Sequence, residues 1–152
     1  MISGFSKRWL TTLLVVGLLQ PAVALAASDL EVGFARRDIT PDVDGETPVW
    51  IAGYGQNRRA TGVHDPLYAT AVVVSDGERR IALATLDLVG LQRPDVDRIR
   101  AQLDGFDYVL VASTHNHEGP DVVGIGGPNP LKSGVDPGYL DRVVATTIAA
   151  IN

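Results

Sequence analysis

"VLVASTHNHEGPDVVGIGG", residues 109–127, starts as protein interior and then turns into a polar, glycine-rich loop. Most of residues 109–114 are apolar or small, the composition of a buried strand. His115, His117, Glu118 and Asp121 follow directly. The fold therefore turns on whether the rest of the chain builds a sheet that ends a buried strand in these groups.

Upstream of it lie three more strand patterns. Residues 31–39 form the first, closed by Thr40-Pro41-Asp42, where the proline forces its predecessor out of the helical region. Residues 43–64 are irregular and rich in glycine. Residues 68–75 and 79–88 are dense in Val, Ile, Leu and Ala, and Asp76-Gly77 between them signals a hairpin. Pro94 opens a short helix with Asp95 and Asp97 in its first turn and Val96, Ile99 and Leu103 as its buried stripe. The strand 107–113 leads into the quoted loop, which runs to about Pro137 and exceeds the ~12–15 residues usual for a structureless connection. A last amphipathic helix covers residues 139–151, with Leu140, Val143, Val144, Ile148 and Ile151 as its apolar stripe. This order predicts an α/β fold with a mixed β-sheet and flanking helices. The apolar stripe of the last helix is expected to pack on later sequence, making this the N-terminal portion of a larger catalytic domain.

The chain has 152 residues and no cysteine, so a thiolate metal site is excluded and any metal must be held by histidine and oxygen ligands. Residues 1–26 have the layout of a secretory signal peptide: Lys7-Arg8, a mostly apolar run over 10–19, a Gln20-Pro21 break and Ala24-Leu25-Ala26 as a cleavage site. The apolar run is shorter than the ~20 residues of a spanning helix, although an uncleaved anchor is the alternative. Cleavage near Ala26 would place residues 27–152 in the periplasm or outside the cell. That part carries 11 basic and 18 acidic residues, a charge of −7 that argues against nucleic acid as a partner.

Two residues apart on an extended chain, His115 and His117 would point to one face with Cα atoms ~6.5–7 Å apart. Both could bind one ion, or one could bind it while the other meets a substrate; two surface histidines are the plainer alternative. Known motifs fit poorly. His117-Glu118 would begin the zincin pattern, but Asp121 stands where its second histidine belongs, and the serine-hydrolase elbow is missing. Asp87, at the end of strand 79–88, could orient a ligand histidine or cap a loop. His64, in "TGVHDPLYA", lies in a loop beside Asp65 and could line the site or belong to a turn.

The segments "VGFARRDITP", "AGYG", "TGVHDPLYATAVVV", "LATLDLVG" and "VLVASTHNHEGP" resemble, in this order, the N-terminal catalytic domain of neutral/alkaline non-lysosomal ceramidases and their bacterial relatives. The resemblance covers nearly all of residues 32–151 and is most specific at Thr114-His115-x-His117-x-Gly119-Pro120. It implies a secreted zinc amidohydrolase that cleaves an N-acylated sphingoid base into a fatty acid and an amine. Such an enzyme meets an amphiphilic, ceramide-like substrate and would contact a membrane surface to reach it. By the resemblance, His115 is a zinc ligand and the catalytic His117 stands beside the attacking water and the substrate. Asp87, Glu118 and His64 would support or line the site. The family's remaining ligands, a second His, a Glu and a Tyr, come from later segments, so this chain would be catalytically incomplete.

Ceramidases usually carry Thr between the histidines, Ser before Gly-Pro and a glycine pair after it. Here these positions hold Asn116, Glu118, Asp121 and Val122. The added carboxylates point to a substrate other than ceramide itself. An esterase or phosphatase on the same scaffold, and a binding protein that keeps the fold, are the alternatives.

Overall fold

The computed structural model describes residues 29–152, and the expected signal peptide lies outside them. The elements are β1 (Glu31–Asp38), β2 (Tyr68–Ser75), β3 (Arg80–Leu86), α1 (Arg93–Arg100), β4 (Tyr108–Ser113) and α2 (Pro137–Ile151). They form one four-stranded sheet in the order β1-β2-β3-β4. The first two pairings are antiparallel and β3–β4 is parallel, so the sheet is mixed, as expected. The β2–β3 hairpin closes over residues 76–79, where Asp76 Oδ1 accepts from the N–H groups of Glu78 and Arg79. The parallel pair needs a crossover, and α1 supplies it.

Register decides which face is covered. Ala35, Ala71, Ala84 and Val111 stand in one cross-strand row, so mostly small side chains face the helices. That lets α2 lie close, and Val143, Val144 and Ile151 are buried at 0–2% exposure. Ile99 and Leu103 of the α1 segment join the same core. A second core group, with Ile39, Leu86, Leu88 and Val122, extends it to the strand ends that carry the histidines.

Two expectations change. The apolar stripe of α2 is buried within this chain, against the sheet face whose alanines let the helix approach. What stays open is the other face, where Phe34, Val72, Leu83 and Leu110 share a row. Phe34 is 69% and Leu83 42% exposed. In α1, Asp95 does more than face the helix dipole: it is buried, and Arg98 reaches it at 3.0 Å. No helix among the described residues is long and apolar enough to cross a membrane.

Candidate functional site

β3 and β4 run parallel, so their C-terminal ends lie together, the edge where open α/β sheets carry ligands. Beyond Ser113 the backbone N–H of Thr114 donates to Leu86 O and that of Asn116 to Leu88 O. Satisfying both bonds makes the chain turn sharply, and His115 adopts φ 62°, a left-handed conformation unusual for a residue with a side chain. Such strain persists only where the surroundings over-determine it, and it clusters at functional sites.

The turn brings the two histidines together, with ring centroids 4.7 Å apart and planes at 65°. His115 Nδ1 lies 2.8 Å from the carbonyl oxygen of Val89. A carbonyl can only accept, so Nδ1 carries a proton, and the neutral form of the ring has its lone pair on Nε2. Asp87, the expected partner of the histidine, does something else. Its carboxylate accepts from Tyr68 N–H at 3.0 Å and from Thr114 Oγ1 at 3.3 Å, tying β2 to the end of β4. The backbone of Val89, two residues on, takes the place beside His115 instead.

His117 is held by part of the irregular stretch 43–64. Residues 49–60 fold back as a small hairpin with a Trp50–Arg59 bridge, and Ile51 pairs with Pro120 beside the histidine loop. At its tip Tyr54 packs edge-on to His117, 5.0 Å between centroids. Gly53, at φ 120°, comes so close that a Cβ there would stand 2.6 Å from His117 Cβ. Arg58 lies beside the Tyr54 ring and donates to both carboxylate oxygens of Glu118, at 3.1 and 2.8 Å. Glu118 thus stands next to the pair with its orientation set.

Asp121 is the buried acid that organises the long loop. It is 1% exposed, and its oxygens accept from the N–H groups of Val123, Gly124, Ile125, Gly126 and Gly134. Asn57 N–H in turn donates to Gly127 O and Gln56 Nε2 to Ile125 O, so this loop braces the hairpin that carries Tyr54. Asp121, one of the two added carboxylates expected to alter the site, is thus buried inside the loop instead.

His64 is not brought to the pair as a third ligand. Its ring is 96% exposed and bonded to Asp65 at 2.8 Å, and it lines a cleft with Asn116 and Glu118. No group of three or more His, Cys, Asp or Glu among the described residues could hold a metal ion. A zinc site takes about four donors. His115 suits the role of one donor through Nε2, and His117 stands close enough to be its neighbour.

No protein-family model matches the chain, and neither does the sequence of any curated protein. Solved structures do. The α/β fold is one found in ceramidases: over 80% of its length the chain superposes on neutral ceramidase from Pseudomonas aeruginosa with a TM-score of 0.59 and 22% identity. A ceramidase complexed with C2 superposes over the same share with a TM-score of 0.61 and 22% identity. The chain spans 21% and 20% of the lengths of those two proteins. At this identity what is shared is the fold.

Proposed function

We propose that this chain is part of an exported zinc-dependent amidohydrolase that cleaves ceramide-like acyl amides into a fatty acid and a long-chain amine. The observation that carries the reading is the His115–His117 pair at a strained turn, on a fold shared with ceramidases. Zinc would bind His115 through Nε2, the remaining donors coming from sequence outside residues 29–152. When bound, it supplies Lewis-acid polarisation of the amide carbonyl and makes water a competent nucleophile near neutral pH.

The chain's own residues perform the rest. His115 is kept in the metal-binding tautomer by Val89 O. His117, fixed between Tyr54 and Gly53, takes the proton of the attacking water and returns it to the amide nitrogen as the C–N bond breaks. The substrate reaches the site from a membrane surface, and residues 1–26 direct export with cleavage after Ala26.

The test is metal content and fatty-acid release from an N-acyl sphingoid base, measured on the same preparations of the full-length protein. His115→Ala should lose both. His117→Ala should keep much of its zinc while turnover falls by ~10²–10⁴-fold. Stoichiometric zinc in the His115→Ala protein would defeat the ligand assignment. N-terminal sequencing of exported protein checks cleavage, and a chain still starting at Met1 would mean an anchor.

A further inference from the structure

Between residues 40–50 and the first turns of α2 lies a cavity of about 490 Å³, within the ~300–1,000 Å³ typical of small-molecule sites. Neither histidine of the candidate site lines it. Trp50, Pro41, Pro48 and Pro120 form an apolar part of its wall. Prolines have no rotamer freedom to lose and an indole has little, so a guest meets a surface that is already ordered. The rest of the lining is mostly polar: the hydroxyls of Thr40 and Thr47, the carboxylates of Asp42, Glu46 and Asp136, and the Arg142 guanidinium. Asp121 also lines it, but its oxygens are taken by the five N–H groups of its own loop.

The hydrogen-bonding capacity left over is of both kinds. Asp136 Oδ1 caps α2 by accepting from Gly138 and Tyr139 N–H, so the helix N-terminus is filled by the protein's own carboxylate and gives no seat to an anion. Asp42 Oδ1 accepts from Asp44 N–H, and Arg142 Nη2 donates to Thr40 O. Thr40 Oγ1 accepts from Leu67 N–H and keeps its own proton to donate. Oδ2 of Asp42 and of Asp136, the Glu46 carboxylate, the Thr47 hydroxyl and the other Arg142 donors bond no group among the described residues. The carboxylates do not converge, for no group of three or more His, Cys, Asp or Glu among the described residues could hold a metal ion. A simple cation would share the cavity with Arg142, and an anion would meet three carboxylates. A wholly apolar guest would strip water from charged groups and give them no partner. A hydroxyl both donates and accepts. A pyranose ring carries several of them around an apolar C–H face, which matches dispersed acceptors and donors beside an indole.

We propose that this cavity binds a hexopyranose, whose hydroxyls donate to Glu46 and Asp42 and accept from Arg142 while its C–H face lies on Trp50. The site is separate from the histidine pair and does not rest on the hydrolase reading.

The methyl glycosides of glucose, galactose and mannose are the probes, titrated calorimetrically into the full-length protein in the presence of a chelator. At least one should saturate with a Kd of about 1 mM, the affinity that a ligand of this size reaches at ordinary efficiency per atom. Glu46 is exposed and bonds nothing else among the described residues, so Glu46→Ala leaves the fold intact and should weaken that glycoside about tenfold. Glu46→Gln, which keeps a carbonyl acceptor, should lose less. Trp50→Leu should also weaken it by removing the indole face. Octyl glycosides below their micellar concentration distinguish the source of the sugar. Equal affinity for the methyl and octyl forms assigns a free sugar, tighter octyl binding assigns a lipid headgroup, and both uphold the site. No saturable heat with any glycoside, choline binding more tightly than all of them, or unchanged affinity in Glu46→Ala and Trp50→Leu would overturn the proposal. Neither metal nor turnover enters the readout, so the result stands whatever the histidine pair does.

Discussion

Val89 and His115, 26 positions apart in the chain, are joined by a 2.8 Å hydrogen bond from the imidazole Nδ1 to the backbone carbonyl. The neutral ring should accordingly carry its proton on Nδ1, against the Nε2–H form favoured by free histidine. Long-range ¹H–¹⁵N spectra of the metal-free protein report this directly, through an unprotonated Nε2 resonance for His115. A protonated Nε2 in the neutral ring would mean that the ring is turned away from Val89.

Gly53 and Gly55 separate backbone strain from contact with the site. Both have positive φ, 120° and 90°, so alanine at either position should cost about 1–2 kcal/mol from conformation alone. Only at Gly53 does the new methyl collide with His117; at Gly55 it meets nothing within 4 Å. Gly53→Ala should therefore be the more destabilising in urea unfolding, and it alone should cut turnover of the full-length protein. Equal effects of the two variants would show that the hairpin does not position His117.

Tyr139 ties α2 to the strand end by donating its hydroxyl to Ile39 O at 2.8 Å. Burial pushes its hydroxyl well above the ordinary phenol range; Arg142 pulls it back in part, and Asp38 adds to the rise. A raised folded-state pKa gives stability that is complete below the unfolded value of about 10 and is lost as pH climbs beyond it. Stability should thus fall by up to about 1.4 kcal/mol per pH unit above pH ~10. Tyr139→Phe should lose about 1 kcal/mol at neutral pH with the hydrogen bond and show a flatter alkaline limb. Unfolding midpoints between pH 7 and 11.5 test both parts.

Phe34 and Leu83 lie in one row of the open sheet face, with Val72 between them. Exposed apolar patches of this kind drive association. The chain made alone should self-associate through this face, and Phe34→Ser with Leu83→Thr should raise the monomer fraction in sedimentation velocity. Their cost to stability should be small, within about 0.5 kcal/mol each, because neither is in the helix-covered core. Unchanged association would place the sticky surface elsewhere.

The sequence by itself determined the elements of this protein and where its paired histidines fall. The β2 boundaries match the apolar run 68–75 to the residue, and β1, β3, β4 and both helices fall within a few residues of their patterns. These signals are local: side-chain period, proline and glycine placement, and an apolar run that stops at histidines. The same local pattern located His115 and His117 at a strand end.

Only the tertiary structure decided which sheet face α2 covers, because both faces of β2 and β3 are apolar and the choice depends on the alanines that pairing aligns. Likewise it gave His115 to the Val89 carbonyl and Asp87 to the strand ends, although the carboxylate is the more obvious partner on paper. Backbone carbonyls are identical in every sequence, so no residue pattern can mark the one that will accept. Tyr54 and Gly53 reached His117, and Arg58 reached Glu118, across more than 55 positions of chain, through a hairpin braced by the N–H bonds to Asp121. Contacts of that span arise from the packing of loops whose composition carries no period, and they exist only once the sheet edge has been built.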